Sequence, residues 1–293
     1  MSVVLDLEDA VAHEDKTTAR VAVAGWIASG GCAVVRINAS DTIWHSADAA
    51  MIREVAAPVM LPKTRSPDEI DRVVEITGTQ AVPLVETSSG VLAAAEIARH
   101  PEVARIAFGS IDMAAELGID PEDRDALLFA RSTIVMASAA AGLAPPIDGV
   151  TTTIDDPNAL NSDVAYAARI GMSAKLCIHP RQIPTVHECL VPSVAQIDWA
   201  QRIVASTSRD GSAVAVDGRM VDAPFWLALN ALWPPPIADR GNGVTFVRRQ
   251  LRQQRTTGVT AYLMFRRVGE DGEWQCSPAA RPSRRLLLRT DMR

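Results

Sequence analysis

Residues 81–118 read AVPLVETSSGVLAAAEIARHPEVARIAFGSIDMAAELG, and the punctuation of that stretch decides the fold. Two strand-length runs, Ala81-Val-Pro-Leu-Val85 and Arg105-Ile-Ala-Phe108, are each followed by polar residues and then by a segment of helical spacing. The first run ends in Glu86; the second leads through Gly109-Ser110-Ile111 to Asp112. If both runs are neighbouring strands of a parallel barrel, the two acids point into one mouth. Such a pair suits a hard divalent cation, because Mg2+ takes oxygen ligands, needs only one or two carboxylates and keeps room for water and substrate. Either acid alone reads equally as a helix cap or a solvated loop residue.

The same alternation extends in both directions. Seven apolar runs, Val3–Leu7, Ala33–Ile37, Pro58–Leu61, Val82–Val85, Arg105–Phe108, Pro146–Val150 and Ala174–Ile178, are separated by helix-length segments. Those with helical apolar spacing include Lys16–Ser29, Pro67–Thr77, Val91–Arg99, Pro121–Ala141 and Asn158–Ile170. The pattern predicts an α/β fold with a parallel sheet covered by helices, a TIM (β/α)8-type barrel first and an open doubly wound sheet second. No GxGxxG or GxxxxGK[ST] follows any run, which argues against a dinucleotide or P-loop site.

At 48% hydrophobic and 22% charged, 293 residues are enough for one large barrel. No apolar run approaches the ~20 residues of a membrane span and no signal peptide opens the chain, so a cytoplasmic protein without a membrane partner is expected. Cys32, Cys177, Cys189 and Cys276 lack CxxC spacing and are expected to be small buried hydrophobes rather than a disulfide framework. The net charge of −6 divides unevenly: 12 of the 29 basic and 5 of the 35 acidic residues lie from Pro234 onward. The body is therefore strongly acidic, and nucleic acid is not an expected partner.

Barrel chemistry sits where the strands end, and nearly every run here ends in charge: Glu8 and Asp9, Arg36 with Asn38, Lys63, Glu86, Asp112, Asp148, and Lys175 with His179. The strings Leu5-Asp-Leu-Glu-Asp-Ala-Val11, Val35-Arg-Ile-Asn38, Leu61-Pro-Lys63, Glu86-Thr87, Phe108-Gly-Ser-Ile-Asp112, Ile147-Asp-Gly149, Lys175-Leu-Cys-Ile-His-Pro180 and Asp217-Gly-Arg-Met-Val-Asp222 together resemble the citrate lyase β-subunit-like CoA-ester lyases of the HpcH/HpaI aldolase superfamily. The resemblance implies a Mg2+-dependent carbon-carbon lyase that cleaves a 3-hydroxy-3-carboxyacyl-CoA (citramalyl-, malyl- or citryl-CoA) to acetyl-CoA and a 2-oxo acid. It places Glu86 and Asp112 on the metal, Glu8 and Asp9 on metal-bound waters, Arg36 on the substrate and Asp222 as a proton carrier from a neighbouring subunit. Lys63 is expected either at the CoA phosphates or simply as the end of a strand, and His179 either as a base or as a structural residue. A homo-oligomer, a trimer by resemblance, is implied. Thioesterase or condensing chemistry on the same esters, and a truncated non-catalytic CoA-binding remnant, remain alternatives.

Both ends depart from the family pattern. The chain starts almost on the Asp-Leu-Glu-Asp strand, so the barrel is expected to lack its first β/α unit, and seven strands leave two open edges unless another segment fills the gap. The lyase domain is assigned to residues 1–224 and an atypical basic tail to 225–293. In GC-rich codons, a reading one base back near codon 224 gives an Ala/Arg-rich helix and then a stop, so the tail is expected to be frameshifted read-through, which the gene's nucleotides would test.

Overall fold

The computed structural model describes residues 2–191, 193–206, 214–221 and 261–266. The chain begins with β1 (Ser2–Asp6), α1 (Lys16–Ala28), β2 (Ala33–Arg36), α2 (His45–Val55), β3 (Val59–Leu61) and α3 (Pro67–Thr77). It continues with β4 (Ala81–Val85), α4 (Ser88–Leu92), α5 (Ala94–Arg99), β5 (Ala107–Phe108), α6 (Ser110–Leu117), α7 (Leu128–Ala140), β6 (Ile147–Asp148), α8 (Pro157–Arg169), β7 (Ala174–Cys177), α9 (Gln182–Leu190) and α10 (Val194–Ser206). The hairpin of β8 (Val214–Val216) and β9 (Arg219–Val221) turns at Asp217-Gly218, both in the left-handed region that tight hairpin turns require. The last described element is β10 (Ala261–Arg266).

Strands β1 to β7 form one parallel sheet in sequence order. Each is buried on both faces, which explains why the runs read as continuously apolar rather than alternating. Alternation still sorts the side chains. Val4, Val34, Met60, Val82, Leu84, Ala107, Ile147, Ala174 and Leu176 fill the barrel interior. Their neighbours Val3, Leu5, Val35, Val59, Leu61, Val85, Phe108 and Cys177 face the helices.

The place expected to be vacant is taken. β10 pairs antiparallel with both edges, Leu5 opposite Ala261 on one side and Cys177 opposite Leu263 on the other, and closes the barrel. The fold is thus a TIM-type barrel that lacks one β/α unit of the parallel series and closes with a strand from the tail.

Two helices differ from their predicted bounds. α7 starts at Leu128 rather than Pro121, because Asp120 accepts from Glu122 N–H at 2.9 Å and Asp123 from the Asp125 and Ala126 amides at 3.0 and 3.1 Å. Short acidic side chains that bond local amides compete with the helix. The segment at 91–99 breaks at Ala93 into α4 and α5. Cys177 is buried as expected, whereas Cys32 is exposed and disulfide-bonded, its partner lying outside the described residues. Among the described residues no helix is long and apolar enough to cross a membrane.

Candidate active site at the barrel mouth

Above the apolar interior, the inward-facing rows change character. Arg36, Glu86, Asp112 and Asp9 line one cavity of about 210 Å³ whose floor is Val4, Met60, Leu84 and Leu176. Glu86 and Asp112 therefore line the same cavity. No group of three or more His, Cys, Asp or Glu side chains gathers in ligand geometry among the described residues; a cation here would have a pair of carboxylates, with water and substrate to complete its shell.

Glu86 is held from two sides. It caps β4 at 2% exposure, and its Oε1 accepts the Lys63 backbone N–H at 2.8 Å. Lys63 presents that amide by adopting φ +51°, a left-handed conformation uncommon for a residue with a side chain. Position 109 has to be glycine, since a Cβ there would overlap Glu86 Oε2 and lie 2.5 Å from its Cβ. Asp112 occupies the first turn of α6, where the helix dipole favours a negative charge. Burial, then the nearby charges of Asp112 and Glu8, push the Glu86 carboxyl up to about 8 against the pull of the Lys63 amide and Arg36. Burial also lifts Glu8 to about 7, with Asp9 adding to the rise while Arg36 and Lys63 oppose it.

Arg36 enters the mouth with much of its hydrogen-bonding edge already engaged. Asp6, its partner in the β1–β2 register, takes Nε and Nη2 at 2.7 Å each, and Glu8 Oε2 lies 3.2 Å from Nη1. The Nε/Nη2 fork of the guanidinium thus belongs to Asp6. Asp6 escaped the sequence reading, although its place on the same interior row as Val4 was a usable signal. Glu8 Oε1 accepts from Lys63 Nζ at 3.0 Å, while Oε2 is buried without a hydrogen bond among the described residues. Lys63 also approaches Asp9 at 3.9 Å. Its ammonium thus serves the acids of the mouth.

Other strand-end charges point elsewhere. Asp148 and Lys175 alternate outward from Ile147 and Ala174, into the helix layer. There Asp148 accepts from Lys175 Nζ at 2.8 Å and Arg131 Nε at 2.9 Å, and the two cations hold its carboxyl low despite complete burial. This is a buried ionic lock between β6, β7 and α7. His179 Nδ1 accepts the Arg181 N–H at 3.1 Å, in the turn that leads into α9. Asn38 joins the network behind Glu8. Asp222 lies outside the described residues.

Residues 2–180 match the family profile described as HpcH/HpaI aldolase/citrate lyase. The chain belongs to that family. A citrate lyase subunit beta-like protein of Mycobacterium tuberculosis is 36% identical over 229 residues, spanning 76% of this chain and 82% of the relative. A (3S)-malyl-CoA thioesterase of Cereibacter sphaeroides is 34% identical over 75% of this chain and 81% of its own length. Among solved structures, CitE of M. tuberculosis in complex with magnesium, acetoacetate and coenzyme A superposes with a TM-score of 0.68 at 33% identity, covering 78% of this chain and 87% of that one. This family member is an enzyme of the CoA-ester lyase class.

Proposed function

We propose that the mouth cleaves a 3-hydroxy-3-carboxyacyl-CoA to acetyl-CoA and a 2-oxo acid with the help of Mg2+. The observation that carries this reading is the convergence of Glu86 and Asp112 on one cavity beside Arg36. The donor set fits the ion: two carboxylates sharing a pocket, one pushed up to about 8 because it is buried against like charge, and a second buried acid, Glu8, whose Oε2 has no hydrogen bond among the described residues and only the Arg36 Nη1 charge at 3.2 Å beside it. Glu86 and Asp112 would hold the cation, and Glu8 and Asp9 its waters; bound there it supplies Lewis-acid polarisation of the substrate's hydroxyl and carboxylate. A relative solved with magnesium, acetoacetate and coenzyme A supports the assignment.

In the retro-Claisen step the substrate hydroxyl loses its proton, the bond between the hydroxyl-bearing carbon and the α-carbon of the thioester breaks, and the electron pair becomes the thioester enolate. That enolate takes a proton to give acetyl-CoA. Arg36, fixed by Asp6, holds a preset positive charge beside the developing alkoxide, so little reorganisation is needed as the charge forms. Lys63 keeps Glu8 in place through its ammonium and Glu86 through its amide. Asp222 is assigned the proton transfer at the acetyl-CoA methyl by resemblance alone.

A thioesterase outcome is the second reading, favoured by the relative named (3S)-malyl-CoA thioesterase. Incubation with citramalyl-CoA and Mg2+ separates the two: lyase chemistry releases acetyl-CoA and pyruvate, whereas hydrolysis releases free CoA and citramalate. The Glu86→Ala variant should lose either activity. Unchanged turnover in that variant would remove the metal role given to Glu86.

A further inference from the structure

Behind the acids lies a charged side chain that the mechanism above does not use. Lys16, the first residue of α1, is only 5% exposed. Each of its three ammonium protons has an acceptor: the carbonyls of Leu7 and Glu8, both at 2.8 Å, and Asn38 Oδ1 at 2.7 Å. The Trp44 ring centroid lies 5.1 Å from Nζ. Asn38 is itself fixed, its backbone N–H and Nδ2 both donating to Asp48 Oδ2 at 2.9 and 2.6 Å, and Asp48 Oδ1 accepts from Arg20 Nε at 2.7 Å. A run of charged and amide groups thus extends from α1 and α2 to the two peptide carbonyls that follow β1.

The same turn is gripped from its other side. Asp6 Oδ1 accepts the Glu8 N–H at 2.9 Å and Asp6 Oδ2 the Ala10 N–H at 3.3 Å. Lys16 therefore holds the carbonyls of the turn while Asp6 holds its amides, and between them the backbone directions at Glu8 and Asp9 are set. Asp9 depends most on this arrangement. Its side chain is 54% exposed, its approach to Lys63 is 3.9 Å long, and it lines the cavity from a backbone it does not itself anchor.

We infer that Lys16 is a positioning residue for the divalent-cation pocket: by fixing the Leu7 and Glu8 carbonyls it aims Glu8 and Asp9 at the ion's hydration shell. The inference rests on the cation reading given above. It differs from a purely stabilising role, because removal of Lys16 leaves neither carbonyl bare. Leu7 O keeps Asn38 Nδ2 at 2.9 Å, and Glu8 O keeps the Val11 N–H at 3.0 Å. The turn survives but becomes free to tilt.

The test is calorimetric titration of Mg2+ into the full chain, substrate absent, for wild type, Lys16→Met and Glu86→Ala, with folding checked by circular dichroism. Outer partners of metal ligands typically change affinity by about 10- to 100-fold, and a loss of that size is expected for Lys16→Met. At saturating Mg2+ its KM for citramalyl-CoA should stay within about twofold of wild type, and Glu86→Ala should show no binding. A folded Lys16→Met protein with wild-type Mg2+ affinity, while Glu86→Ala still loses binding, overturns the inference and leaves the cation reading intact. A KM that rises as far as the Mg2+ dissociation constant also overturns it, by showing general collapse of the mouth. If Glu86→Ala binds Mg2+ like wild type, the cation reading itself fails. Should Lys16→Met not fold, Asn38→Ser removes one of the ammonium's acceptors and is read by the same criteria.

Discussion

Replacement of the buried acid Glu86 by glutamine should stabilise the metal-free protein at alkaline pH while abolishing its function. Glu86 is almost fully buried, and its carboxyl is raised from 4.5 to about 8, first by burial and then by Asp112 and Glu8. The folded protein binds this proton more tightly than the unfolded chain does. Its stabilising contribution is therefore complete below pH 4.5 and disappears as the pH rises through about 8. At about 1.4 kcal/mol per pH unit, the interval sets a ceiling of roughly 5 kcal/mol on the loss. Glutamine keeps an acceptor for the Lys63 amide and carries no charge at any pH. Urea unfolding with a chelator present, at pH 5, 7 and 9, measures the difference. The wild type should weaken steadily relative to Glu86→Gln, and by pH 9 the variant should be the more stable by roughly 2–5 kcal/mol. Millimolar Mg2+ should restore the wild type alone, because only the carboxylate gains from the cation. A wild type that keeps pace with the variant from pH 5 to 9, or a variant that is weaker at pH 9, would refute the claim that this acid is held against its preference.

Four further outcomes follow from the geometry. Gly109→Ala puts a methyl group into the Glu86 side chain; overpacking of this kind costs about 1–3 kcal/mol, and displacement of the acid should lower kcat at least about tenfold, both readable on one purified sample. Asp6→Asn removes the charge that fixes Arg36 and one acceptor of the turn amides; kcat should fall and Mg2+ affinity should weaken with it, and steady-state kinetics with calorimetry checks both. Lys175→Met leaves Asp148 short of one of its two cations and should cost about 3–5 kcal/mol in denaturant unfolding without altering KM. Deletion of 261–266 bares the facing edges of β1 and β7; size-exclusion chromatography should then show self-association, and a monodisperse product with an unchanged melting transition would contradict the closed barrel.

Much of the architecture was legible because parallel barrel strands bury both faces and declare themselves as apolar runs; the strand-end rule also singles out Glu86 and Asp112, which line one cavity. The position of a residue within its strand carried information that the strand-end rule ignores. Asp148 ends β6 and Lys175 is the second residue of β7, both on the outward row; Asp148 therefore meets Arg131 and Lys175 rather than the cavity. Asp6 sits two residues before the expected pair of acids Glu8 and Asp9, on the inward row, and so takes Arg36. Lys16 could not be read from sequence at all: its partners at Leu7, Glu8 and Asn38 are brought to it only by the return of α1 against the sheet. Closure by residues 261–266 was equally hidden, since a six-residue apolar run in a basic tail has no local feature that names its partners.

The seam made by that strand has a kinetic consequence. Leu5 and Ala261 meet across 256 residues of sequence and Cys177 and Leu263 across 86, whereas the parallel ladders of the barrel all join consecutive strands. Contacts between such distant points form slowly, because the chain must be confined before any bond rewards it. Assembly should therefore finish here, and the same two ladders should be the first to exchange their amide protons when the native protein opens briefly.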